Sequence, residues 1–521
     1  MNKLKFLIIS ILASGMFVSC QDAYEIVQDG ELNEDVAIQN VADMKSYSNG
    51  VYATISVSNE IGFTGIFTDE TGVGRGTGGQ NLDTHRFQLT AANGYAEAIW
   101  YGHYRTINRA NRLLKAAALI TPIDAAEEAQ YNTIVAETRA IRAFSHFQLL
   151  SYFSTDLEND NAEGVILMDR VPAFTEDLPR STNGEVFALI ESDLNFAYDN
   201  VSTANTYKFI TKNMINALRA RMYLYRGNYT LAQQYAQDVI TNSGLNLTAA
   251  TPVPAGAPIN GAAGSTAWNN SFYGTASTNP YRKMFNDSSP AEVIFSLDRP
   301  AVGTWDNVAG HFVTNTTTAG GSPFFEVGRK LFNLLRATSG DVRRYANVDP
   351  TSIVNPNYAT DPNYPNTDVL IVDKYPGKTG AVLRNDLKVF RLSEMYFILA
   401  ECYQHNGDLN GASNSVASIV KSIRDARNFL APQALPVYAT AVDALKDILL
   451  ERRLELCFEG HRYLDLKRLG AAAGVSIDRD ATDDEVPGMP VTIPITDHRF
   501  TMPIPTSEIN ANANIDQNPG Y

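Results

Sequence analysis

Glu451-Arg452-Arg453-Leu454-Glu455-Leu456-Cys457-Phe458-Glu459-Gly460-His461-Arg462-Tyr463-Leu464-Asp465-Leu466-Lys467-Arg468-Leu469-Gly470 is the stretch from which the rest of the chain can be read. Together with the residues just before it, Leu449, Leu450, Leu454, Cys457 and Phe458 recur at three- and four-residue steps and share one helix face. Asp443 and Asp447 lie toward the start, where negative charge suits the helix dipole, and Arg452 and Arg453 follow. Gly460 suits a left-handed stop. A second short helix over residues 462–469 carries Tyr463, Leu464, Leu466 and Leu469 inward and is expected to end at Gly470. Read from its residues alone, the stretch is a capped amphipathic helix pair.

Moving outward, Ala220, Tyr223, Gly227, Tyr229 and Ala232 stand at the same offsets as Ala400, Tyr403, Gly407, Leu409 and Ala412. This is the tetratricopeptide pattern: small residues where two antiparallel helices touch, a glycine ending the first, an aromatic or leucine closing the turn. Such repeats stack side by side and bury a shared core. The two copies are not contiguous, so the stack must be interrupted. Residues 242–323 supply the interruption, dense in Gly, Pro, Ser, Thr, Asn and Ala and carrying Trp268, Phe272, Tyr273, Tyr281, Trp305 and Phe312. Within it, residues 293–297 read as a short strand; residues 369–372 suggest another.

Further helices are expected over residues 36–56, from Ala96 onward with Trp100, Tyr104, Ile107, Ala110 and Leu114 on one face, and over residues 136–153. Arg180 to Thr182 supplies an N-cap for the apolar run after it. Residues 61–89 are rich in glycine. Their Gly74-Arg75-Gly76-Thr77-Gly78-Gly79 matches G-x-G-x-x-G but has no helix starting at the last glycine, so it reads as a flexible surface loop and not a nucleotide site.

At the N-terminus Lys3 and Lys5 precede a short apolar run, and Phe17-Val18-Ser19-Cys20 reads as a lipobox with Cys20 lipidated, for instance by palmitate. The alternative is an ordinary cleaved signal with a chance cysteine. No other stretch is apolar for the ~18 residues a spanning helix needs, so membrane attachment would run through lipid. Cys402 and Cys457 sit on apolar helical faces and are expected as buried thiols without a disulfide.

The quoted stretch also resembles the C-terminal signature of the SusD/RagB family, lipid-anchored outer-membrane proteins of Bacteroidetes that capture glycans or peptides. Ile107-Asn108-Arg109-Ala110-Asn111, Glu137 to Phe144 and the tail from Phe500 to Tyr521 resemble the family as well. The resemblance implies a mainly α fold, with tetratricopeptide-like helical repeats forming a right-handed superhelical platform, a large irregular loop-rich insert and a few short strands. The expected division is a signal at 1–20, a tether at 21–35, an N-terminal helical-repeat part at 36–241, the insert at 242–323 and a C-terminal SusD/RagB region at 324–521. It further implies a SusC-like TonB-dependent transporter as partner, and a surface formed by N-terminal loops and the insert as the place of binding.

Composition sets bounds on function. Hydrophobic residues at 44% and aromatics at 10% support a large core. A net charge of −15 excludes a nucleic-acid binder and disfavours anionic ligands, unless a local arginine cluster overrides the mean field. No H-E-x-x-H, C-x-x-C, G-x-S-x-G or P-loop occurs, so no enzyme, cofactor or metal site is expected. Residues 478–485 are acidic but lack EF-hand spacing and read as a solvated loop instead of a calcium site.

Sugars present C–H faces to flat rings and hydroxyls to polar groups. On that ground Trp268, Tyr273 and Trp305 are the foremost binding candidates, and Asp69, Arg75 and Tyr95 stand second. Any one ring could instead pin the insert to the helices. Trp100 belongs to a helix stripe and is assigned to the core. Oligosaccharide is the expected cargo, with peptide as the alternative; a periplasmic helical-repeat scaffold binding protein partners, or a glycan-cleaving lipoprotein, are the competing classes.

Overall fold

The computed structural model describes residues 38–173, 175–202, 206–251, 272, 279–313 and 323–521. The N-terminal helices are α1 (Val41–Thr54), α2 (Ser58–Phe67), α3 (Gly94–Ala117), α4 (Ala125–Phe153) and α5 (Asn183–Asn200). Side-chain caps set their starts: Asn40 for α1, Asn93 for α3, Asp124 for α4, and a Thr182–Glu185 capping box for α5. Helix α4 thus begins earlier than residue 136, because Asp124 satisfies the free amides of Ala126 and Glu127. The stripe of α3 is buried at Ile99, Trp100, Ile107, Ala110 and Leu113 and packs α3 on α4, with α5 on the other side of α4. Residues 61–67, read only as part of a glycine-rich run, belong to buried α2.

The repeat copies are two helical hairpins. Helix α6 (Lys212–Tyr225) turns at Gly227, φ +69°, into α7 (Tyr229–Asn242); α8 (Leu392–Asn406) ends at Gly407, φ +84°, before α9 (Val416–Arg427). Helix α7 lies directly against α8, so the hairpins are neighbours in space although distant in sequence. Ala220, Ala232, Ala236 and Ala400 are fully buried, and Tyr229 stacks on His405 with ring centroids 3.9 Å apart. One offset fails. Ala412 is exposed in the turn, and buried Ala417 enters the second helix instead, because extra turn residues separate Gly407 from α9.

Two antiparallel strand pairs hold the irregular segments: β1 (Thr71–Val73) with β3 (Phe325–Val327), and β2 (Val293–Leu297) with β4 (Leu387–Arg391). Strand β4 runs straight into α8. Residues 369–372 form isolated bridges at Val369 and Val372 instead of a named strand. Phe272, Tyr281 and Phe312 of the insert are buried, so these three rings do pin it down. His311 and Phe312 seat on glycines of α2, where a Cβ at Gly62 would lie 2.5 Å from His311 Nδ1 and one at Gly65 2.8 Å from Phe312.

The stretch that opened the reading folds as α10 (Ala441–Glu455), a turn with Phe458 and Gly460 at φ +61° and +85°, and α11 (Arg462–Ala473). Gly470 does not end α11; Gly474, φ +63°, does. Gly470 is required for close approach, since a Cβ there would sit 2.5 Å from Ile495 Cδ1. The charged face is buried as well as the apolar one. Arg452 pairs with Asp465 at 2.7 Å, and Arg453 and Arg462 meet Asp69 at 3.4 and 2.8 Å. Glu455 accepts from Arg391 and Arg427 at 2.8 and 2.9 Å, and both arginines also reach Glu292. Glu459 joins Arg391 and Lys374 at 2.7 and 2.6 Å. These charges tie an N-terminal loop, the insert and β4 to α10 and α11. Cys402 and Cys457 are buried free thiols, and burial pushes both up to about 12. The acidic segment is not solvated throughout: Asp483 and Asp484 are buried, Asp483 accepting from Arg329 N and Asp484 pairing with Arg86 at 2.8 Å.

Candidate functional site: an aromatic cleft at Trp305

Beside α1, a cleft of about 170 Å³ opens between Asn49 and Tyr52 of that helix, Lys208 and Phe209 just before α6, and Asp298, Arg299 and Trp305 beyond β2. Arg299 holds its floor. Its guanidinium is buried, donates to the Ile55 carbonyl and pairs with Asp306 at 3.0 Å, while its backbone amide donates to Asp386 at 2.8 Å. Trp305 lies with its ring centroid 5.4 Å from that guanidinium, and its indole N–H donates to the Val302 carbonyl at 3.1 Å. Gly303, φ +95°, makes the turn that closes this contact; a Cβ there would come within 3.0 Å of the indole nitrogen. Tyr52 meets Phe209 edge to face at 5.3 Å, and its hydroxyl accepts from Ile210 N at 3.0 Å. Phe209 remains 40% exposed. At the rim Lys208 reaches Asp298 at 2.7 Å, a pair open to solvent on both sides.

Apolar rings with a polar rim form a surface that can take the C–H face of a pyranose and satisfy its hydroxyls. Among the described residues, no group of His, Cys, Asp and Glu is placed to hold a metal.

The expected residues divide. Trp305 lines the cleft, half-buried. Cys20, Trp268 and Tyr273 lie outside the described residues. Arg75 is exposed in a turn whose flanking Gly74 and Gly76 amides bind the carbonyls of Phe324 and Pro323, so that loop is tied down. Asp69 is buried beneath Arg453 and Arg462, which outweigh the upward push of burial and hold its carboxyl well below the usual range. Tyr95 is buried too, its hydroxyl 3.2 Å from His311 Nδ1. Both serve the packing, and neither lines the cleft. Trp100 is buried as expected and donates to Glu508 at 3.1 Å. Tyr52 and Phe209 were missed. Tyr52 reads as one more stripe residue of α1, while Tyr207-Lys208-Phe209 is a ring-rich run without helical period that could have flagged the site.

Two family models match the sequence: the SusD family over residues 342–521, and a family described as starch-binding and associating with the outer membrane over residues 25–224. The chain belongs to the SusD family. It is similar to SusD-like protein P2 of Formosa agariphila, 23% identical with both chains covered in full. A SusD-like protein of Bacteroides ovatus is 32% identical over 31% of this chain and 30% of its own. Among solved structures, a SusD superfamily protein of Bacteroides vulgatus superposes with a TM-score of 0.71 at 22% identity, covering 93% of this chain and 99% of that one. A laminarin-binding SusD-like protein gives 0.66 at 21% identity, over 93% and 100%. The mainly helical SusD fold is therefore shared across almost the whole chain. No helix among the described residues is long and apolar enough to cross a membrane.

Proposed function

We propose that this SusD-family chain is a non-enzymatic glycan-binding protein, anchored by lipid at Cys20 to the outer membrane and facing the cell exterior. It captures oligosaccharide and delivers it to a SusC-like TonB-dependent transporter. Residues 36–241 and 324–521 serve as the helical platform that touches the barrel, and residues 242–323 with neighbouring loops form the pocket. The single observation that carries the reading is the Trp305 cleft, where indole, phenyl and phenol rings meet a rim of Lys208, Asp298 and Asn49. A laminarin-binding relative of the same fold supports a carbohydrate over a peptide.

The test is affinity gel electrophoresis of the chain against a panel of neutral polysaccharides, laminarin and starch included, beside a mixed peptide pool. The reading expects retention by at least one polysaccharide with no new reducing ends released. Binding of peptides alone, or release of shorter sugars, would overturn it.

A further inference from the structure

On the far side of α1 from Asn49 and Tyr52, Tyr47 faces a larger groove of about 580 Å³ along α3. We propose that this groove is a second binding site, specific for the acidic groups, carboxylate or sulfate, of a charged oligosaccharide. Tyr101, Arg105, Arg109 and Arg112 line it at steps of four, four and three residues, which stack them along one helix edge. Tyr47 and Tyr104 form the remaining ring surface, and among the described residues no carboxylate lines the groove. Tyr101 is 65% exposed, and Tyr104 is fixed by donating its hydroxyl to the Ile166 carbonyl at 3.0 Å.

Two features separate this groove from an ordinary solvated helix face. Solvated faces interleave signs of charge, whereas the described lining here joins three arginines and three tyrosines with the uncharged Asn108 and Met168. Arg105 and Arg109 are exposed, and among the described residues neither forms an ion pair or hydrogen bond. The second feature is the background. In a chain of net charge −15 the mean field repels anions, so an arginine-lined concavity with no carboxylate among its described lining is a local inversion of sign. Arginine's planar fork takes carboxylate or sulfate by two parallel hydrogen bonds, and adjacent tyrosine rings take the sugar face between charges. The site shares no residue with the Trp305 cleft and stands independently of it.

Calorimetry of the full chain with oligogalacturonate, its methyl ester and a sulfated galactan oligosaccharide tests this. At least one acidic probe is expected to bind about tenfold or more tighter than the neutral ester. The preference should vanish in Arg105→Ala/Arg109→Ala, whose melting temperature is unchanged, and persist in Trp305→Ala. Whichever acidic probe wins assigns carboxylate or sulfate. Equal binding of ester and both acids, or a preference that survives the double substitution, overturns the site. Loss of neutral-glycan binding in Trp305→Ala bears only on the other cleft.

Discussion

Glu455 shows how much of this molecule depends on single buried charges. Its carboxylate is fully enclosed and accepts from Arg391 and Arg427; burial pushes it up, but the two arginines outweigh that and keep it ionised. Glu455→Gln leaves those arginines short of their counter-charge, and we expect a loss of about 3–5 kcal/mol in urea unfolding. A loss below about 1 kcal/mol would mean the cluster is redundant there. Glu70 behaves oppositely. Burial pushes it up to about 8, Oε2 accepts from Phe458 N at 3.1 Å, and among the described residues Oε1 has no hydrogen-bond partner. A carboxyl raised this way keeps its proton in the folded chain after the unfolded chain has released it. Its stabilisation is complete below about pH 4.5 and is lost as pH rises toward about 8. Glu70→Gln should therefore flatten the fall of melting temperature across that window; an unchanged slope would show that Glu70 is ionised when folded. None of this was legible at the residue scale in the sequence. Periodicity finds Leu449 and Phe458, but the partners of the charged face, Asp69, Glu292, Arg391 and Arg427, come from remote parts of the chain.

Elements were easier to read than their charges. Gly227 and Gly407 announced both hairpins, because a left-handed turn between two periodic helices leaves a local mark. The extra residues after Gly407 escaped notice, since an offset match at Ala412 is satisfied by any alanine. Helix α2 was hidden among glycines that serve contact and not flexibility. Gly62→Ala places a methyl 2.5 Å from His311 Nδ1, so the turn Val308–His311 must move; we expect about 1–3 kcal/mol of destabilisation, seen as a lower melting temperature. Gly94→Ala, with nothing within 4 Å, serves as the control and should change little. Equal effects from the two would deny that α2 seats the insert.

For the molecule as a whole, the cleft that carries the proposed role is assembled from three separated segments. Tyr52, Phe209 and Trp305 converge because Arg299 joins the end of β2 to the carbonyl of Ile55 after α1, while Ile210 N donates to the Tyr52 hydroxyl and Lys208 pairs with Asp298. Linear sequence marks Trp305 as a ring on a polar insert but cannot say which helix it faces. The proposed lipid anchoring implies that Cys20→Ser should move the chain from the membrane fraction to the soluble fraction of cells; continued membrane retention would contradict attachment at Cys20. The central claim is that the Trp305 cleft grips sugar by ring stacking. Isothermal calorimetry of Trp305→Ala against wild type, using the polysaccharide best retained in the panel, tests it most directly. The account predicts that affinity falls by about tenfold or more with the melting temperature unchanged, and an affinity equal to wild type would contradict it.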